Sequence, residues 1–149
     1  MLDQTEFAPL IPHAGRMCLL DGVAAWDATT IHAVSDSHAL ADHPLRGADG
    51  RLHAVHLAEY GAQAMAVHGA LRDRAQGATA VKPGRLVSLR DVQLAVEHVD
   101  ADGGRLDVHA ECLFADDAGA QYAFRVEQGG RLLASGRAAV IHPQETSHD

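Results

Sequence analysis

The order of hydrophobic periods along this chain predicts an α+β fold, an antiparallel sheet wrapped round one long central helix. Three observations carry that reading. Two short apolar runs precede residue 35, a proline-free stretch with helical spacing occupies 51–76, and four runs of period-two alternation separated by turn residues follow it. At 149 residues the chain is long enough for one domain, spanning 1–149, with a core of its own. Aromatics make up only 4% of the residues, so that core must be built mainly from Ala, Val and Leu, and oligomerisation is expected to add stability.

The elements follow in order. Residues 1–15 hold Pro9, Pro12 and Gly15, which predicts an extended or singly turned lead-in. Met17–Trp26 and Thr30–Val34 read as strands joined near Asp27, Ala28 and Thr29. The segment from Ser35 to Gly50 is polar, contains Pro44 and Gly47, and is expected to be a loop. In the helix, Val55, Ala58, Ala62, Met65, Ala66 and Gly69 recur at three and four residues, the spacing of one face. Gly77 is the expected stop, with Arg72 and Arg74 near the negative helix end.

Beyond Pro83-Gly84, Val92, Leu94 and Val96 alternate with polar residues, as in a strand with one buried face. Leu106 to Phe114, Tyr122 to Val126 and Leu132 to Ile141 continue as strands, separated by DADGG, DDAG and QGG turns. A meander of four antiparallel strands is therefore expected after the helix, and 143–149 should form a flexible tail. Two strands, a helix and such a meander make the hotdog arrangement.

Charge and motif content narrow the function. A net charge of −8 argues against a nucleic-acid partner. The positive charge gathers in the middle, at Arg46, Arg51, Arg72, Arg74, Lys82, Arg85 and Arg90, as a solvated face or a docking patch for an acidic partner. Cys18 and Cys112 have neither disulfide nor metal spacing and fit free thiols in a reducing compartment. There is no charged-then-apolar leader and no apolar run near the ~20 residues of a membrane span, so a cytoplasmic protein without membrane contact is expected. Nucleophile elbows and phosphate or dinucleotide glycine loops are absent. His53 and His56 lack a completing Glu or Cys for a metal site, and His68 reads with them as a surface or interface histidine. His32, His98 and His109 fall on polar strand faces.

One residue breaks the pattern of the helix. Glu59 lies within its small-residue face, followed one turn later by Gln63. A carboxylate there is costly unless hydrogen-bonded or paired, and such a cost marks a candidate acid or base. Two motifs now resemble a known family. LIPHAGRMCLLDGV at 10–23, with Pro12, His13, Asp21 and Val23, and EYGAQAMAVHGAL at 59–71, with Glu59 and Gln63, are similar to the 3-hydroxyacyl-carrier-protein dehydratases of the FabA/FabZ type. They look still more like the ApeP-like dehydratases of aryl-polyene synthesis. The fatty-acid enzymes place a catalytic His in a Gly-His-Phe-Pro segment before the helix; here that loop reads DSHALADHPLRGADGRL and offers His38 and His43.

The resemblance implies a hotdog homodimer that removes water from a 3-hydroxyacyl thioester on an acyl carrier protein, giving the trans-2-enoyl thioester without a cofactor. A His would take the C2 proton and a carboxyl group would protonate the leaving hydroxyl, each contributing ~10²–10⁴-fold. Glu59 is then the acid, Gln63 orients it or holds substrate, and His13 and His43 compete as base. The rivals are a hotdog thioesterase and a non-catalytic subunit that binds acyl chains and completes a heterodimer.

Overall fold

The computed structural model describes residues 2–7, 18–40, 42–77 and 85–141. His13 and the tail from Pro143 lie outside the described residues, as does the strand start at Met17. The elements are β1 (Leu2–Asp3), α1 (Gln4–Phe7), β2 (Gly22–Trp26), β3 (Thr30–Ser35), α2 (Leu57–Ala75), β4 (Arg85–Leu94), β5 (Leu106–Ala115), β6 (Gly119–Gln128) and β7 (Arg131–Ile141). Short 3-10 turns at Ser37–Ala39 and Ala54–His56 flank the long loop between β3 and α2. All seven strands form one sheet in the order β1-β2-β3-β5-β6-β7-β4, every neighbour antiparallel, with α2 packed on its inner face. This is the hotdog architecture the sequence predicts.

The strand order corrects one expectation. The four strands after the helix are not a simple meander, because β5 pairs with β3 while β4 crosses to the far side and pairs with β7. As the edge strand, β4 leaves Leu89, Val92 and Leu94 about 40% exposed, so the period-two pattern there buries neither face within this chain. On β5 the alternation holds for Leu106, Val108 and Ala110, which are buried. A register shift between Cys112 and Phe114 then turns Phe114 outward. The Asp27–Thr29 turn and all three turns after α2 fall where the residues predict them. Gly129 and Gly130 both have positive φ, the backbone that a tight two-residue hairpin demands.

The helix starts later than its sequence pattern, at Leu57, and its deepest face differs from the one read above. Leu57, Tyr60, Gly61, Gln63, Ala64, Val67, His68 and Leu71 are buried, Met65 with them. Ala58, Ala62, Ala66 and Gly69 are only half-buried, and Val55 precedes the helix and is exposed. Small residues conceal which side is inner, since Ala is compatible with either, and side chains such as Tyr60 and His68 have apolar bodies that suit the interior once their polar tips are bonded.

Gly61 sets the distance between helix and sheet. A Cβ there would stand 2.7 Å from the Phe124 ring on β6, closer than atoms can pack. His68, read from sequence as a surface or interface residue, is fully buried and ties α2 to the sheet. Its Nε2–H donates to the Asp27 carbonyl at 2.8 Å, and its Nδ1 accepts from the Tyr122 hydroxyl at 2.6 Å. Among the described residues no helix is long and apolar enough to cross a membrane.

Candidate active site

Glu59 sits in the first turn of α2, where the positive helix end favours a carboxylate, and it lies in the half-buried stripe of Ala58, Ala62 and Ala66. One turn on, Gln63 is completely buried. Its Nε2 donates to Glu59 Oε1 at 3.3 Å and its Oε1 accepts the backbone N–H of Leu19 at 2.8 Å. Because a backbone N–H can only donate, the amide oxygen must face Leu19 and the amide NH2 is left for the carboxylate. The pairing expected from the i, i+4 spacing is therefore present, and Gln63 is its rigid half.

The sequence predicts a strand from Met17 to Trp26. Before β2, residues Cys18 to Leu20 are instead an irregular buried strap. Gln4 Nε2 donates to the carbonyls of Leu20 (2.9 Å) and Cys18 (3.3 Å), and Asp21 Oδ2 accepts from the Asp36 backbone. Asp21 of the first motif thus braces the strap against the loop after β3.

That loop is polar in sequence yet partly buried in the fold. Ser35, Ser37, His38 and His43 are all buried, and Ser37 and His43 reach Tyr60. Ser35 Oγ donates to the Leu19 carbonyl, which can only accept. With its single proton used, Ser35 must accept from Ser37 Oγ (2.9 Å), so Ser37 accepts from the Tyr60 hydroxyl (2.8 Å), and Tyr60 accepts from His43 Nε2 (2.9 Å). The other end agrees independently. Leu45 N–H donates to His43 Nδ1 at 3.0 Å, which leaves the proton of a neutral imidazole on Nε2. Burial, with Arg46 alongside, holds His43 below its ordinary pKa, and burial pushes the Tyr60 phenol up to about 12.

Of the residues singled out in the sequence, Glu59 and Gln63 are in contact and His43 bonds to Tyr60, whereas Tyr60, Ser35 and Ser37 are not among them. The available signal was Ser35-x-Ser37 at the end of an apolar strand, a place where hydroxyls must find buried partners. Arg46 also differs from expectation: it donates to the carbonyls of His38 and Gly50 and braces the loop, whereas Arg51, Arg74 and Arg90 are exposed. His38 is buried, which lowers its pKa, and its Nδ1 has no partner among the described residues.

A groove of about 800 Å³ lies on the outer sheet face and is lined by none of these residues. There His32 and His109 stack at 4.3 Å, His32 paired with Asp107 and His109 near Glu127.

A family model described as the ApeP-like dehydratases matches residues 5–148. Among solved structures, the dehydratase heterocomplex ApeI:P from Xenorhabdus doucetiae superposes with a TM-score of 0.83 at 23% identity, covering 94% of this chain and 92% of that one. AziG from S. sahachiroi gives 0.62 at 20% identity, covering 91% and 98%. A thioesterase family protein from Silicibacter pomeroyi gives 0.55 at 14% identity over 80% and 81%. No curated protein sequence matches.

Proposed function

This chain belongs to the ApeP-like dehydratase family, and we propose that it converts a 3-hydroxyacyl thioester on an acyl carrier protein to the trans-2-enoyl thioester, in aryl-polyene or fatty-acid-like synthesis in the cytoplasm. The observation that carries this reading is the Glu59 carboxylate, set among small residues at a helix N-terminus and held by an amide that is itself fixed. In the reaction a base takes a proton from C2, the electrons left behind form the C2–C3 double bond, and the C3–O bond breaks as Glu59 gives its proton to the departing hydroxyl. Gln63 keeps the carboxylate aimed. Backbone N–H groups at the start of α2 suit the thioester carbonyl, whose polarisation makes the C2 proton removable.

The base is assigned to His13. Both nitrogens of His43 are occupied, Nε2 by Tyr60 and Nδ1 by Leu45, and its burial disfavours taking a proton. His13 of the first motif is then the candidate left for the base, a role that its replacement by Ala tests. His43 then acts in support. No step calls for a cofactor.

A second subunit fits the exposed Leu89, Val92 and Leu94 on the β4 edge, because an unpaired apolar edge strand is a ready surface for another chain. A homodimer is the simplest form, and a heterodimer with a second hotdog subunit is the alternative, since the Xenorhabdus relative is described as a heterocomplex. Exposed Arg51, Arg74 and Arg90 offer positive charge to an acidic carrier protein. The test is intact-mass analysis of a 3-hydroxyacyl-carrier protein incubated with this chain alone and with a second hotdog subunit. Loss of one water with this chain alone supports the dehydratase, loss only in the mixture supports a partner subunit, and release of free carrier supports a thioesterase.

A further inference from the structure

Tyr60 and Glu59 are adjacent on α2, about 100° apart round the helix, so their side chains leave it in different directions. The phenol is completely buried, and its hydrogen bonds are to Ser37 and His43 rather than to Glu59 or Gln63. Yet it stands in the middle of a hydrogen-bond chain that runs from His43 to the Leu19 carbonyl with every proton placed. Leu19 is where that chain meets the site. Its carbonyl is held by Ser35 and its N–H by Gln63, so one residue of the strap is gripped from both sides.

We propose that Tyr60 is a positioning residue for Glu59, acting through Ser37 and Ser35 on the backbone of Leu19 and from there through Gln63 to the carboxylate. The inference rests on Glu59 being the acid. A chain of donors with one allowed direction can be interrupted at one atom, and all groups beyond the break lose their fixed partner. Removing the Tyr60 hydroxyl leaves the buried His43 Nε2–H without an acceptor and frees the Ser37 hydroxyl to turn, so Ser35 Oγ keeps only the Ser37 backbone N–H as a fixed donor and its hold on the Leu19 carbonyl loosens. The route also gives His43 a purpose other than proton abstraction: its Nε2–H, set by Leu45, orients the phenol.

The experiment is Tyr60→Phe, read in two ways. Steady-state kinetics should show kcat lowered about tenfold, short of the about hundredfold that a full 1 Å misplacement can cost, with KM within about twofold. Amide hydrogen exchange, which needs no substrate, should show the Leu19 N–H exchanging about tenfold faster while amides of β6 and β7 keep their rates. Ser37→Ala should reproduce both effects and Ser37→Thr, which keeps a hydroxyl, should restore them; this pair decides the matter if Tyr60→Phe does not fold. Unchanged Leu19 exchange, or acceleration shared equally by β6 and β7, overturns the proposal. An inactive wild type instead removes the dehydratase reading, and the exchange rates still decide whether Tyr60 governs Leu19.

Discussion

The side-chain oxygen of Gln63 accepts the backbone N–H of Leu19 at 2.8 Å, a contact between residues 44 apart in sequence that fastens the strap before β2 to the central helix. The same amide reaches Glu59 with its nitrogen. Gln63→Leu keeps the volume and removes both bonds. It should cost about 1–3 kcal/mol in chemical denaturation, because a buried N–H loses its acceptor, and lower kcat by more than the stability loss explains. Wild-type kcat in a destabilised Gln63→Leu protein would reduce the contact to a structural tie.

Gly61 and Phe124 define a second close contact. Gly61→Ala places a methyl 2.7 Å from the ring and should destabilise by about 1–3 kcal/mol, the cost of overpacking. In the background of Phe124→Leu the same change should cost less, since the ring is gone. Equal costs in the two backgrounds, measured as a double-mutant cycle, would contradict the packing argument.

Much of this fold is legible in the sequence, and the reasons are local. Alternation on β5 and β6 names Val108, Ala110, Phe124 and Val126 as inward, and the glycines of the 128–130 turn announce a hairpin. The pairing of β4 with β7 is not legible, because a period-two strand carries no mark of its neighbour. Glu59 is visible because it interrupts a run of Ala, and Gln63 because it stands one turn on. Tyr60, Ser35 and Ser37 are hidden for a different reason: their polarity is satisfied only by residues brought together in three dimensions, so in sequence they look like a loop and a helix surface.

Buried histidines give the stability a direction with pH. Burial holds His38, His43 and His68 below the ordinary value of 6.5, and partial burial with Arg125 alongside does the same to the half-buried His109. Below 6.5 the unfolded chain therefore takes up protons that the native state refuses, so this contribution is complete above 6.5 and is lost as pH falls through the folded values. The denaturant midpoint should fall between pH 7.5 and pH 5, about those limits, and His68→Asn should flatten the slope. A midpoint that rises on acidification would contradict the assignment of neutral, buried imidazoles.

The edge strand predicts an assembly. Leu89→Lys with Leu94→Lys places charges on the exposed apolar row of β4. Sedimentation should report a dimer for the wild type and a monomer for the double variant. A wild type that sediments as a monomer would exclude this edge as a self-interface.

In the proposed reaction Glu59 donates the proton that removes water. That role is tested most directly by the intact mass of a 3-hydroxyacyl-carrier protein after incubation with the wild type and with Glu59→Gln, alongside His13→Ala and His43→Ala. The wild type should remove one water, Glu59→Gln and His13→Ala should do so at least about hundredfold more slowly, and His43→Ala should show a milder effect. Dehydration by Glu59→Gln at the wild-type rate would contradict that role.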